Sequence, residues 1–408
     1  MAEALATQIL AILFCLSAAA AAARTKSYSF NSQDSTAVSF LNANDGICKS
    51  VVEPKGYACQ EHTVTTKDGY ILSIQRVPSG LSGQAADKPP VLLQHGLLLD
   101  GVTWLMNLPE QSLAFILADN GYDVWIANSR GTRFSRGHTS LKPIEPDYWD
   151  WTWDELLAYD LSATFQLVHD QTGQNLHYVG HSLGTLIALA AFSQEKLLNM
   201  LRSAALLSPI AYLNHLPSPL ARGPLFIAQD LYWLGVYEFA PRGGQAVNKL
   251  LEDFCSTPGI NCSDIVTPIT GPNCCLNSSV TNEFLEYEPQ STATKNLIHL
   301  AQMARTGTIA MYDYGNENDN MDHYGQPTPP VYNMASIPND VPLFLSYGGK
   351  DYLSDVEDVQ VLLENLKDHD GDKLVVQYID EYAHADFILG VNANRIVYDP
   401  LMAFFKIN

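Results

Sequence analysis

From residue 56 to 209 the chain alternates between two kinds of apolar pattern. Tyr70-Ile71-Leu72-Ser73-Ile74 switches between apolar and polar side chains, the two-residue period of a half-exposed strand. Val91-Leu92-Leu93-Gln94 follows Pro89-Pro90 and is a short apolar run that suits a buried strand. The stretch 111–120 has helical periodicity and stops at Asn120-Gly121, a pair that favours turns. Tyr122 to Ala127 reads as a further strand and 155–171 as a helix stopped by Gly173. Leu176 to Val179 reads as a strand, Leu183 to Gln194 as a helix, and Ala204 to Leu207 as a strand. Strands and helices that take turns in this way predict the α/β class: a mostly parallel central sheet with helices on both faces.

The alternation lapses after Pro209. From 210 to 335 the chain is rich in aromatic residues, prolines and glycines, and strand-like runs resume only at Val341 to Tyr347 and Leu374 to Ile379. The simplest organisation is one sheet in two parts, 56–209 and 336–408, with 210–335 inserted between them as a cap. A length of 408 residues is large for a single core and agrees with an inserted subdomain. Residues 24–55 are polar and are expected to be loosely ordered. Residues 1–23 read as a secretory signal peptide, because Ile9 to Ala23 is nearly unbroken apolar and ends in small residues before Arg24. Glu3 and the lack of Lys or Arg ahead of that run depart from the usual pattern. No later stretch is long and apolar enough to span a bilayer.

Composition narrows the function classes. Hydrophobic residues make up 47% and charged ones 16%, which suits a large packed core and excludes a disordered chain. A formal charge of -21 repels nucleic acid and anionic membranes, so no nucleic-acid partner is expected, while an uncharged substrate meets no barrier. Beyond Cys15 in the leader there are six cysteines: Cys48, Cys59, Cys255, Cys262, Cys274 and Cys275. An even number in a secreted chain points to disulfides; their pairing stays open, with Cys48–Cys59 as a local possibility. No histidine accompanies them at zinc-ligand spacing, so no metal is expected. The sequons Asn261-Cys262-Ser263 and Asn277-Ser278-Ser279 point to a sugar-bearing loop in the same region.

The candidate chemistry centres on Gly180-His181-Ser182-Leu183-Gly184, a G-x-S-x-G between a strand-like and a helix-like run. A serine hydroxyl is a weak nucleophile, and a strained strand-to-helix elbow exposes it to both substrate and base. In α/β-hydrolases the acid and the histidine follow the serine in that order. Gly348-Gly349-Lys350-Asp351 comes directly after the strand 341–347, which makes Asp351 the candidate acid, with Asp355 and Asp358 as rivals that also suit helix capping or surface charge. Only His369 and His384 follow it. His369 lies in a charged turn and reads as a solvated loop residue, whereas His384 lies just past the strand 374–379, where a base belongs. An oxyanion needs two preorganised N–H donors; the backbone amides of Leu183 and of Leu97, in Gln94-His95-Gly96-Leu97, are the candidates. Asp386 reads as a loop hydrogen-bonding group and not as a second acid.

These blocks resemble the acid lipase family, which includes gastric lipase, lysosomal acid lipase and related plant triacylglycerol lipases. The resemblance also rests on Asp68-Gly69-Tyr70-Ile71-Leu72, Asn128-Ser129-Arg130-Gly131, Tyr312-Asp313-Tyr314-Gly315 and His323-Tyr324-Gly325-Gln326-Pro327, and it spans nearly the whole mature chain. It implies an α/β-hydrolase fold with a cap over residues 210–335, a Ser182–Asp351–His384 triad and an oxyanion hole at Leu97 and Leu183. It further implies a cofactor-free lipase acting on neutral lipid esters at a lipid–water interface, either secreted or routed to a vacuole or lysosome. A steryl-ester hydrolase, a general carboxylesterase and a catalytically silent binding protein are the alternatives. The animal lipases carry Gln where Leu183 stands and His-Leu-Asp where this chain has His384-Ala385-Asp386, and their cysteine positions do not match the cluster at 255–275. Tyr212, Phe226, Tyr232, Trp233, Tyr237 and Phe239 either pack inside the cap or face lipid.

Overall fold

Every strand-like run read from the sequence is a strand in the computed structural model, which describes residues 46–217, 219–240 and 263–408. The expected leader, Cys255, Cys262 and the Asn261 sequon lie outside the described residues. The first half contributes β1 (Gln60–Thr65), β2 (Tyr70–Val77), β3 (Lys88–Gln94), β4 (Tyr122–Ala127), the two-residue β5 (Gly137–His138), β6 (Leu176–His181) and β7 (Leu201–Leu207). The insertion holds a small pair, β8 (Glu238–Phe239) and β9 (Thr292–Ala293); β10 (Leu343–Gly348) and β11 (Leu374–Ile379) then complete the main sheet. The strand order is β1-β2-β4-β3-β6-β7-β10-β11, with β5 beside β2. From β4 to β11 all neighbours are parallel, and β1 and β2 add an antiparallel edge.

Two apolar clusters sandwich this sheet, and the strand period decides which residue joins which. Leu92, Trp125, Tyr178 and Leu206 belong to one. Their chain neighbours Val91, Leu93, Val124, Val179 and Leu207 belong to the other. Such strands read as continuous apolar runs because both faces are covered. The helix Leu183–Ser193 is buried from Leu183 through Phe192, so it carries no polar face. Its outer side is covered by the insertion: Leu213, Leu216, Leu225, Ala228, Leu297 and Ala301 belong to the same cluster as Leu186 and Leu189. The described residues of the insertion therefore share the main core.

Two expectations need correction. The polar segment expected to be loose up to residue 55 is ordered from residue 46 onward. Cys48–Val52 and Glu53–Lys55 are short helical turns, Ile47, Val51 and Val52 are buried, and a Cys48–Cys59 disulfide ties them to β1. Three apolar side chains and one covalent link outweigh the polar surroundings. The helix expected over 155–171 is instead Trp153–Glu155, a π-helical Leu156–Leu161 and Ser162–Thr172, ending at Gly173 with a left-handed φ of 66°. The widened turn carries buried Asp160, whose carboxylate accepts from the Arg130 backbone N–H (2.9 Å) and Nε (2.7 Å).

Candidate active site

Three candidate residues, Leu97, Ser182 and Leu183, are brought together by one feature of the topology. The chain leaves β3 toward β4 on one side and later enters β6 on the other, so the carboxyl ends of β3 and β6 lie together at a switch point. Gln94 pairs in register with Gly180, which places His95-Gly96-Leu97 beside His181-Ser182-Leu183. Asp351 and His384 follow β10 and β11 at the same edge, where Gly348 pairs with Ile379.

Ser182 takes φ 55° and ψ -121°, a left-handed conformation that costs an ordinary residue about 1–3 kcal/mol. Its surroundings hold it there. Ser182 N–H donates to the Leu207 carbonyl at 3.1 Å, and its own carbonyl accepts from Thr185 N–H (2.8 Å) and Thr185 Oγ1 (2.6 Å). The flanking glycines allow the close approach: a Cβ on Gly184 would lie 2.7 Å from the Gln94 carbonyl oxygen, and one on Gly180 would lie 2.8 Å from the Gly184 carbonyl carbon.

Asp351 and His384 form a buried pair. Both Asp351 oxygens lie 2.9–3.0 Å from His384 Nδ1. A carboxylate only accepts, so Nδ1 carries a proton, and in the neutral ring Nε2 then presents the lone pair. That Nε2 is buried and has no hydrogen-bond partner among the described residues. Asp351 also accepts from the amides of Leu353 and Ser354, both at 2.8 Å. Burial alone would raise its pKa, but the paired imidazole and the two amides bring it below the usual carboxylate range. The pair meets the serine through His181: its Nε2–H donates to the His384 carbonyl at 3.0 Å, and the two rings lie 4.8 Å apart. Burial pushes His181 down to about 3, so it stays a neutral donor.

On the other side of Ser182 lies Gly96. A Cβ there would fall 2.8 Å from Ser182 Cβ and 3.3 Å from its Oγ. His95 Nδ1–H donates to the Gly96 carbonyl at 2.8 Å, and its Nε2 accepts from Ser129 N–H at 3.0 Å. Burial lowers His95 to about 4, which preserves this neutral tautomer. A trans peptide is planar, so holding the Gly96 carbonyl also aims the Leu97 N–H the opposite way. Leu183 is the first residue of its helix, where an amide has no intrahelical acceptor.

The other candidates separate cleanly. Asp355 caps the helix Val356–Asn365 by accepting from Glu357 N–H at 2.8 Å. Asp358 accepts from His215, at the start of the insertion, at 2.8 Å. His369 is not a solvated loop residue: it is largely buried and its Nε2 bonds the Val341 carbonyl at 3.1 Å, which anchors the turn to the chain just ahead of β10. Asp386 accepts the amides of Ala383, Cys274 and Cys275, as a loop-organising group does. Sequence reasoning left out His181, Thr185 and Asn273. The x positions of G-x-S-x-G carry no local signal of a contact made some 200 residues away. Asn277 is exposed and caps the helix Ser278–Tyr287, accepting from Ser279 N–H. Among the described residues no helix is long and apolar enough to cross a membrane.

Residues 89–390 match the family model described as the alpha/beta hydrolase fold, and residues 48–108 match the partial alpha/beta-hydrolase lipase region. The chain is 51% identical to triacylglycerol lipase 2 of Arabidopsis thaliana over 370 residues, covering 89% of this chain and 88% of that protein. It is 37% identical to human gastric triacylglycerol lipase over 360 residues, covering 86% and 88%. Among solved structures, a monoglyceride lipase from Saccharomyces cerevisiae is similar in fold, with a TM-score of 0.52 at 15% identity, over 94% of this chain and 99% of that one.

Proposed function

Because the chain belongs to the lipase branch of the α/β-hydrolase family, we propose that it is a serine lipase that hydrolyses the carboxylic ester bonds of neutral lipids, triacylglycerols foremost. The observation that carries this reading is the buried Asp351–His384 pair, whose Nε2 has no partner among the described residues and belongs to a loop held against the residue preceding a left-handed serine.

In the proposed cycle Ser182 Oγ attacks the ester carbonyl as His384 Nε2 takes its proton. Asp351 keeps the imidazole in the required tautomer and stabilises the imidazolium that forms. The Leu97 and Leu183 amides receive the oxyanion; each such donor is worth about 3 kcal/mol in the transition state. The imidazolium returns its proton to the departing alcohol, leaving an acyl-enzyme on Ser182. Water, activated by the same base, then releases the fatty acid.

The choice of lipid rests on the relatives and on the insertion. Tyr212, Tyr232, Tyr237 and Phe239 pack against the main cluster, so these four stabilise the insertion itself. Trp233, Leu234 and Phe226 are 78%, 65% and 56% exposed, an apolar edge suited to a lipid surface. Residues 1–23 as a leader, with glycans at Asn261 and Asn277, fit passage through the secretory pathway to the cell exterior, a vacuole or a lysosome.

The test is hydrolysis of an emulsified long-chain triglyceride, a steryl ester and a dissolved short-chain ester, with Ser182→Ala and His384→Ala as controls. The expected result is turnover of the triglyceride emulsion that falls at least about a thousandfold in either variant. Activity confined to the dissolved ester would make the protein a soluble carboxylesterase. Failure of a fluorophosphonate to label Ser182 would make it a silent relative.

A further inference from the structure

The loop that carries His384 is held from two sides. The sheet core takes its carbonyl: the His384 C=O accepts from His181 Nε2 at 3.0 Å. The insertion governs its amides. His384 N–H donates to the Thr270 carbonyl at 3.1 Å, and Ala385 N–H donates to Asn273 Oδ1 at 3.1 Å. Ala383 N–H donates to Asp386 Oδ2 at 2.8 Å, and that fully buried carboxylate is itself held by the Cys274 (3.1 Å) and Cys275 (3.0 Å) amides. Three consecutive amides around the base thus end on residues 270–275, directly or through one side chain.

The same segment grips the acid loop. The Thr270 carbonyl also accepts from Tyr352 N–H at 3.3 Å, next to Asp351. Gly271, at φ 95°, passes so close to Lys350 that a Cβ would collide with the Lys350 carbonyl oxygen. Asn273 Nδ2 braces the turn from within, donating to Thr270 Oγ1 at 2.8 Å and to the Gly271 carbonyl at 3.0 Å. A disulfide between the adjacent Cys274 and Cys275 closes a small ring that fixes the relation of the two amides facing Asp386. With the sulfurs joined to each other, the cluster Cys274, Cys275 and Asp386 serves the loop and not a metal ion.

We propose that residues 270–275 of the insertion set the spacing and orientation of the Asp351–His384 pair, with Asn273 and Asp386 as positioning residues, so that the insertion is a working part of the catalytic centre. This rests on the triad reading above. A group displaced by about 1 Å can lose on the order of a hundredfold in rate, so small shifts of this tether are costly.

The experiment uses the full chain as wild type, Asn273→Ala, Asp386→Asn and Arg136→Gln. The last variant breaks the Arg136–Glu238 contact (2.9 Å) between core and insertion away from the base loop. Active sites are titrated with a fluorophosphonate, phosphonylation rates are measured, and kcat and KM are taken on a dissolved short-chain ester alongside Tm. Per titrated site, Asn273→Ala and Asp386→Asn are expected to lose ~10- to 100-fold in both phosphonylation rate and kcat, with KM within about threefold of wild type. Arg136→Gln is expected to keep kcat per site at any Tm it reaches. The proposal is overturned if both tether variants keep wild-type kcat per site and lose only titratable sites in step with Tm. Asn273 is half-buried, so that variant decides the matter should Asp386→Asn not fold. A wild-type protein unlabelled at Ser182 removes the triad reading, and this proposal with it.

Discussion

Residues around Ser182 act mostly through space they leave empty or tautomers they cannot leave. Gly96 is the sharpest case, because any side chain at this position collides with Ser182 Cβ at 2.8 Å. Gly96→Ala is expected to lower kcat at least ~10-fold, since either the proposed nucleophile Ser182 or the Leu97 amide must move. Steady-state kinetics with a circular dichroism control for folding checks this, and an Ala variant as fast as wild type would mean that this loop takes no part in the reaction. His95 and His181 show the second mode. Each is buried and neutral, and each has one ring nitrogen committed to a nearby carbonyl: Gly96 for His95, His384 for His181. Gly180, Ser182 and Gly184 stood out in the sequence because their spacing is local. His181 did not, because its partner lies on another loop.

At the level of elements, two of the contacts between the insertion and the core differ in character. One is the 270–275 tether. The other is a buried seam where the helix start Trp153–Glu155 meets the later part of the insertion. Asp154 accepts from Tyr312 N–H at 2.9 Å and Tyr332 Oη–H at 2.7 Å, and the His299 ring stacks on Trp153 with centroids 4.4 Å apart. Burial raises Asp154 to about 6, against the opposing effect of its hydrogen bonds. A carboxyl whose folded pKa is raised binds its proton more tightly when folded, so its contribution to stability grows as pH falls from about 6 toward 4. Chemical denaturation of wild type and Asp154→Asn at pH 7 and pH 4 should therefore show the variant losing ground by about 2 kcal/mol at the lower pH. An unchanged difference between the two pH values would place Asp154 in a solvated, ordinary state. The capping residues Thr152 and Glu155 are a sequence-level signal for this helix start, but nothing in the pattern indicates that Asp154 turns inward to a segment some 158 residues later.

For the whole molecule, acid works against the fold through its neutral histidines. His95 is lowered to about 4, and His177, His181 and His299 to about 3, each first of all by burial. A histidine whose folded pKa is depressed contributes stability that is fully present above its ordinary value near 6.5 and is lost as pH falls below it. Thermal melts should show Tm declining from about pH 6.5 to pH 4, more steeply than the opposing Asp154 effect can offset. His177→Gln, at a site stacked on Phe405 away from the candidate site, should flatten the decline. A decline no shallower in His177→Gln than in wild type would show that burial does not hold this ring neutral in the folded state. The charge of -21 adds a second acid response of the opposite sign, since protonation of surface carboxylates relieves self-repulsion.

What the linear order of residues determined was everything with a short period or a fixed chain order. The strands over 70–74, 122–127 and 374–379, the elbow at Ser182 and the Ser, Asp, His sequence are written in spacings of a few residues or in rank along the chain. The pairing of Asp351 with His384 follows from them once parallel strands put both loops at one sheet edge. Only the tertiary structure decided that residues 46–55 pack, that Cys274 joins Cys275, that His369 is buried, and that Thr270 and Asn273 hold the amides of the base loop. Each of those is a contact between one backbone or side-chain group and a partner set by packing, and such contacts leave no periodicity to read.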